Sequence, residues 1–123
     1  MAKPKRFLAQ EFKAQLNRTI SLLMDKKQQH LEVELADIRI DEIALLFNVN
    51  VATLRRWCKE HVQQSPSQYL AIYRIEKAKL LLRQGIKPSA VSKILAFSEL
   101  KTFCTVFKRY EKMSPTKIKL SID

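Results

Sequence analysis

The sequence predicts an all-α fold: two small helical units joined by a long central helix, with an extra helix at the N-terminus. Apolar residues recur at three-to-four spacing along most of the chain, which contains one glycine and four prolines. Strand-rich folds need many glycine-rich turns, so this composition favours helices. Hydrophobic residues make up 46% of the 123 residues, enough to bury the core of one compact domain or two very small subdomains.

Residues 1–38 are predicted to form an N-terminal segment with one amphipathic helix and a linker. The helix follows a short basic start and runs from Phe7 to about Asp25. We expect its apolar stripe to pack inward, and the alternative is a dimer seam or a docking site for a partner protein. The stripe has helical spacing and consists of Phe7, Leu8, Phe12, Leu16, Ile20, Leu23 and Met24. Residues 26–37 are predicted to be a linker or a frayed extension of the helix.

The first unit is predicted to span residues 39–65, with a short helix from Ile40 to Phe47 and a longer helix from Val51 to about His61. Asn50 is a good N-cap for the longer helix. Its apolar face consists of Leu54, Trp57 and Cys58.

The connecting helix is predicted over residues 66–84. Ser65 caps it, Pro66 suits its first position, and Gln68 completes a capping box. Gly85 can adopt the left-handed conformation that closes a helix.

The second unit is predicted over residues 85–123. Pro88 opens a short helix with Val91, Ile94 and Leu95 inward, and Ser98 caps a longer helix to about Glu111. Ser114 and Pro115 start a last short helix.

The two units repeat each other at a shift of 48 residues. Each has a short helix, a tight turn and a capped longer helix, which is the helix-turn-helix pattern. One extra residue follows the cap of the second copy. The aligned pairs are Ile43 with Val91, Phe47 with Leu95, Val49 with Phe97, Asn50 with Ser98 and, after the extra residue, Leu54 with Phe103 and Lys59 with Lys108.

The net charge of +11 is concentrated in the two units. Residues 39–123 hold 16 basic and 7 acidic residues, a net of +9. Such an excess favours a polyanionic partner, with nucleic acid first and an acidic membrane or protein surface second. The alternative is a basic protein whose charges serve only solubility.

Residues 39–118 resemble the DNA-binding domain of the AraC/XylS transcription regulators of bacteria. The resemblance is carried by residues 65–82, which read SPSQYLAIYRIEKAKLLL, and by the stretch from Phe97 to Pro115. It implies a regulator of transcription, an activator, with double-stranded DNA as its partner and RNA polymerase as a candidate second partner. The chain departs from the family pattern at Gln63, Ala96 and Lys112, where the family usually has glycine, and also at Cys58 and Thr105.

The second helix of a helix-turn-helix unit enters the major groove, so each unit supplies candidate base contacts. They are Ala52, Thr53, Arg55 and Arg56 in the first unit and Lys101, Thr102 and Thr105 in the second. Leu100 is expected at the open face, where it can make only apolar contact. Arg74 and Trp57 are predicted to be structural. The predicted phosphate contacts are Asn50, Lys59, Ser98, Lys108 and Arg109.

The helical part of this connection, residues 66–83, would be about 27 Å long at ~1.5 Å per residue. With its flanks it can hold two recognition helices about 34 Å apart, which is one turn of DNA. The resemblance implies that one chain thereby reaches two adjacent major grooves.

Several classes of function are not expected. There is no glycine-rich phosphate loop and no catalytic constellation, so we expect neither an enzyme nor a cofactor. Cys58 and His61 lie three apart without a second ligand pair, so no metal site is predicted. No apolar run is long enough for a membrane span. The two cysteines lie in apolar helical patterns, which indicates buried free thiols in the reducing cytoplasm. As a DNA-binding protein, the chain is expected on the nucleoid.

Two other functions remain open. A degenerate family member could act through a protein partner, as an anti-activator or co-regulator with little specific DNA recognition. An RNA-binding or ribosome-associated protein is suggested by charge alone. The N-terminal 38 residues are too few for a ligand-binding barrel, so no small-molecule effector is expected. The start at Met1 favours a stand-alone regulator over a piece of a longer one.

Overall fold

The structure is a computed structural model that describes residues 9–29 and 38–120. This part of the chain contains helices and no strand, which confirms the predicted all-α class. The helices are α1 (Ala9–Gln29), α2 (Ile40–Leu46), α3 (Val51–Val62), α4 (Pro66–Arg83), α5 (Pro88–Ile94), α6 (Leu100–Glu111) and α7 (Pro115–Leu120).

Helix α1 packs inward, as predicted from its apolar stripe. Phe12, Leu16 and Ile20 are fully buried, and α1 contacts α2, α3 and α5. The described part of the stripe, from Phe12 to Met24, is therefore covered by the protein itself and is unavailable as a dimer seam. The helix runs past the predicted end at Asp25 to Gln29. Residues 26–29 of the segment predicted as a linker or a frayed extension are therefore helical, and Phe7, Leu8 and residues 30–37 lie outside the described residues.

An aromatic cluster joins α1 to the first unit. The Phe12 ring lies 5.6 Å from the Phe47 ring and 6.3 Å from the Trp57 ring, between centroids. Trp57 is buried, which confirms its predicted place in the core. At the other end of α1, Lys27 Nζ lies 2.7 Å from Glu42 Oε2 in the first turn of α2. Helix α1 is thus attached to the first unit by both packing and charge.

The caps of α3 and α4 form where the sequence predicts them. Asn50 Oδ1 accepts a hydrogen bond from the Thr53 N–H at 2.8 Å, and Ser65 Oγ accepts one from the Gln68 N–H at 3.1 Å. Each bond satisfies an N–H group that the first turn of a helix leaves without an intrahelical partner.

Helix α4 is the central element, because it contacts α3 of the first unit and α5, α6 and α7 of the second. Its apolar residues Ile75, Ala78 and Leu82 are fully buried. Tyr69 also donates a 2.6 Å hydrogen bond from its hydroxyl to Asn17 Oδ1 of α1. The relative position of the two units is therefore set by packing against α4.

Two predictions for the second unit are wrong. Ile94 was expected to face inward, yet 36% of its surface is exposed. Ser98 was expected to cap α6, but the N-cap is Glu99, with extended backbone angles. The buried Phe97 ring packs 5.2 Å from Phe103, and this packing keeps the segment after the turn extended for one residue more than in the first unit. The extra residue of the second copy therefore precedes the cap instead of following it.

The backbone itself shows the internal repeat. Positive φ angles occur at equivalent places in the two units: at Asn48 and Ala96 after the short helices, and at Gln63 and Lys112 after the longer ones. Three of these four residues stand where the AraC/XylS pattern has glycine. The left-handed turns are thus made without glycine, at a conformational cost of roughly 1–2 kcal/mol per residue.

Candidate nucleic-acid interface

Helix α3 presents one polar face to solvent because its opposite face is fixed in the core. Leu54, Trp57 and Cys58 are buried. The exposed residues include the predicted contacts Ala52, Arg55, Arg56 and Lys59. Thr53 is half-buried, so of the predicted base contacts in this unit it is the least accessible.

Helix α6 has the same arrangement. Phe103 and Phe107 are fully buried, and the opposite face is open. The exposed residues include Leu100, Lys101, Thr105, Lys108 and Arg109. Thr102 is half-buried and lines a groove of about 200 Å³ together with Ile38 and Ile40, so it lies on the side of α6 that faces the first unit.

Helices α3 and α6 are equivalent in length and position but differ in chemistry. Each has 12 residues and ends at a residue with positive φ. Lys59 and Lys108 occupy the same place on the two helices. In contrast, the place of Arg56 in α3 is taken by Thr105 in α6. Thr105 Oγ1 donates a 3.0 Å hydrogen bond to the Lys101 carbonyl, so its proton is engaged within the helix. The second unit therefore offers fewer hydrogen-bond donors than the first.

Within the described part of the chain, the cations on these two faces have no carboxylate partner. These cations are the side chains of Arg55, Arg56, Lys59, Lys101, Lys108 and Arg109. Three cations outside these faces do pair: Lys27 with Glu42, Arg39 with Asp41, and Lys79 with Glu76 and Glu111. The other exposed cations of the described residues lack a carboxylate partner as well, so what distinguishes the two faces is that their cations lie on equivalent helices. Two equivalent helices thus carry uncompensated positive charge toward solvent, and such a face attracts a polyanion.

The N-termini of α3 and α6 differ in charge. The N-cap of α3 is the neutral Asn50, whereas that of α6 is the exposed Glu99, whose side chain makes no capping hydrogen bond. Sequence reasoning missed Glu99 because Ser98 is the stronger cap former. The carboxylate weakens the expectation that the start of α6 attracts phosphate, because like charges repel there.

Arg74 belongs to the core and not to the open faces, as predicted. It is 5% exposed, and its Nη1 donates to the carbonyl oxygens of Leu95 and Ala96 at 3.2 Å each. The guanidinium lies 3.9 Å from the centroid of the Phe97 ring. Arg74 therefore fixes the turn between α5 and α6.

The remaining candidate groups are structural. Cys58 is buried, and burial raises the pKa of its thiol to about 11. Cys104 was expected to be buried as well but is half-buried. The described residues contain no cluster of three or more His, Cys, Asp or Glu side chains that would hold a metal ion. Within residues 9–29 and 38–120, no helix is both long enough and apolar enough to cross a membrane.

A family model described as a helix-turn-helix domain matches residues 43–120. The match covers both units and the helix between them.

Two curated relatives support this assignment. An uncharacterised response regulatory protein from Staphylococcus epidermidis is 37% identical over 91 residues, which are 74% of this chain and 34% of the relative. An uncharacterised HTH-type transcriptional regulator from Haemophilus influenzae is 29% identical over 87 residues, which are 70% of this chain and 29% of the relative. The chain therefore spans about a third of the length of the curated relatives it matches.

Solved structures share the fold. A DNA-binding transcriptional dual regulator from Escherichia coli K-12 superposes with a TM-score of 0.62 at 19% identity, covering 85% of this chain and 88% of that one. The C-terminal domain of the response regulator AraT from Geobacillus stearothermophilus gives 0.65 at 22% identity, covering 84% of each chain. The C-terminal domain of the two-component response regulator yesN from Fusobacterium nucleatum gives 0.63 at 23% identity, covering 80% of this chain and 98% of that one.

Proposed function

Because this chain belongs to the AraC/XylS family of helix-turn-helix, DNA-binding transcription regulators, we propose that it binds a specific double-stranded sequence through α3 and α6 together. Each helix enters the major groove, and the two grooves are adjacent on one face of the duplex. The family is one of DNA-binding regulators and not of enzymes, so binding is the whole of the chemistry proposed.

The observation that carries this proposal is the pair of equivalent helix faces with unneutralised cations. Six basic side chains on α3 and α6 have no carboxylate partner among the described residues. Phosphates of the duplex would pair with these side chains and release the salt cations condensed on the DNA, so the affinity would fall steeply with salt.

The two units have different parts in this proposal. In α3 the guanidinium groups of Arg55 and Arg56 can each form two hydrogen bonds to the major-groove edge of guanine, and Ala52 and Thr53 can touch a thymine methyl group. In α6 the contacts available are Lys101, Thr102 and Thr105. The phosphate contacts are Lys59, Lys108 and Arg109 along the helices and Asn50 at the start of α3. Ser98 is not retained as a phosphate contact, because it precedes the Glu99 cap of α6.

The spacing of the two elements follows from α4. Its 18 residues are about 27 Å long, and it contacts both α3 and α6. Together with these helices it can hold two contacts on DNA about one helical turn, ~34 Å, apart. A rigid spacer of this kind favours duplexes that bend to meet both helices.

We propose further that the bound chain activates transcription, with RNA polymerase as the second partner. This part rests on the family alone. It is tested by transcription of a promoter that carries the selected site, with and without the protein. An increase in transcript supports activation, and a decrease would instead indicate repression.

The test of the main proposal is selection of bound duplexes from a random DNA pool, followed by titration of the selected duplexes against salt. We expect an asymmetric site with two elements about one turn apart. A single short element would mean that α6 contacts only phosphates. Weak, steeply salt-dependent binding without any enriched sequence would contradict the proposal and favour a protein partner. Stronger binding to a single-stranded or duplex RNA competitor would favour RNA.

A further inference from the structure

Leu100 is an exposed residue of α6 to which the proposed function assigns no contact with DNA. It is the first residue of α6, and 43% of its surface is accessible. The equivalent residue of α3, Val51, is half-buried and packs against the core. A single exposed leucine is ordinary on a protein surface. Its position matters because the first residues of a recognition helix are those that meet base edges.

The neighbours of Leu100 leave little for base recognition by hydrogen bonds. The Thr105 hydroxyl donates its proton to the Lys101 carbonyl. Thr102 faces the groove toward Ile38 and Ile40. Lys101 is exposed, but its ammonium group is a point charge without the planar fork of arginine. The exposed Ser98 and Glu99 precede the helix, and the exposed side chain in its first turn that can make apolar contact is Leu100.

The major-groove edges of the four bases offer one apolar group, which is the C5-methyl of thymine. On the premise of the proposed function, we propose that Leu100 packs against such a methyl group and determines specificity for a T·A pair in the second element. The two units would then recognise DNA by different means, with hydrogen bonds from arginine in α3 and apolar contact from leucine in α6.

The test uses a set of selected duplexes, in each of which one thymine of the second element is replaced with deoxyuridine. This change removes the methyl group and keeps the base pair. For the unaltered protein, we expect one such replacement to weaken binding about three- to fivefold, the effect of losing one buried methyl group. The same replacement should have no effect on Leu100→Ala. It should have the full effect on Leu80→Ala, which removes an exposed leucine of α4 as a matched control.

Several results would overturn this inference. The first is a second element in which no deoxyuridine replacement weakens binding. The second is a deoxyuridine replacement that weakens binding of Leu100→Ala as much as binding of the unaltered protein. In either case the selected two-element site would leave the proposed function standing. If no duplex is selected at all, the proposed function fails and the inference fails with it. Leu100→Gln, which keeps the length of the side chain, gives a second variant should Leu100→Ala unfold, and it too should lose the deoxyuridine effect.

Discussion

The guanidinium of Arg74 lies 3.9 Å from the centroid of the Phe97 ring, joining the central helix to the turn of the second unit. The same guanidinium donates from Nη1 to the carbonyls of Leu95 and Ala96. Those carbonyls end α5 and begin the turn, where few intrahelical donors remain. One side chain of α4 therefore determines how α6 leaves the turn, and with it how the second recognition helix is presented.

Replacement of Arg74 should destabilise the second unit. Arg74→Ala removes two charge-assisted hydrogen bonds and the contact with Phe97, and it leaves two buried carbonyls without this donor. We expect a loss of about 2–4 kcal/mol in the free energy of unfolding, measured by urea denaturation. Arg83→Ala, which removes an exposed arginine of the same helix, should change it by less than about 0.5 kcal/mol. A loss for Arg74→Ala as small as that of Arg83→Ala would contradict the structural role.

Glycine should stabilise the protein at the two residues with left-handed backbone angles that end the longer helices. Lys112 has φ 65° and Gln63 has φ 56°, both exposed. Lys112→Gly and Gln63→Gly relieve an unfavourable backbone conformation, and a gain of roughly 0.5–1 kcal/mol is expected after the greater flexibility of glycine in the unfolded chain is subtracted. Gln84→Gly is the control, because Gln84 ends α4 with φ −81°. Equal destabilisation by all three changes would mean that the positive φ angles at Lys112 and Gln63 carry no conformational cost.

Acid should weaken the attachment of α1 to α2. Burial opposes ionisation of Glu42, but hydrogen bonds from the Lys27 ammonium and the Arg39 N–H outweigh it, so the pKa of Glu42 lies below its ordinary value of 4.5. A lowered folded-state pKa means that the contribution is fully present above pH 4.5 and is lost as the pH falls through the folded-state value. Between pH 7 and pH 3 the urea midpoint of Glu42→Gln should therefore fall less than that of the unaltered protein.

The control for this pH dependence is Glu60→Gln, which removes an exposed carboxyl of α3 and keeps the pair between Lys27 and Glu42. Its midpoint should fall as much as that of the unaltered protein. Parallel curves for all three proteins would mean that the ion pair does not contribute.

Substitutions on the two helix faces should separate base recognition from phosphate binding. Arg55→Ala or Arg56→Ala should cost about 1–3 kcal/mol on the selected duplex and relax the preference at one base pair, because a guanine contact is lost. Lys59→Ala or Lys108→Ala should weaken binding to all duplexes alike and lower the salt slope by about 0.9. Titrations on selected and scrambled duplexes measure both effects. Equal losses on both duplexes for all four variants would contradict this division.

Much of the fold was predictable from local signals. The caps at Asn50 and Ser65, the buried stripe of α1 and the repeat follow from residue type and periodicity. The N-cap of α6 could not be predicted in this way, because Ser98 is the better local cap. The helix begins at Leu100, after the buried Phe97. The exposure of Ile94 likewise depends on tertiary packing, which periodicity in a helix of seven residues does not determine.

The candidate interface was predictable in part. The open faces of α3 and α6 follow from the buried positions Leu54 and Phe103 and their neighbours. Two details do not follow from the buried positions: the hydrogen bond from the Thr105 hydroxyl to the Lys101 carbonyl, and the half-buried position of Thr102. Both depend on how the side chains are placed in three dimensions. These are the details that make Leu100 prominent in the second unit.

The most direct test of the central claim, that one chain contacts two adjacent major grooves, is a change in helical phase. Insertion of five base pairs between the two elements of the selected site rotates the second element by about half a turn. We predict that affinity then falls to that of a duplex in which the second element is scrambled, since α4 cannot follow the rotation. Unchanged affinity after the insertion would contradict simultaneous binding by α3 and α6.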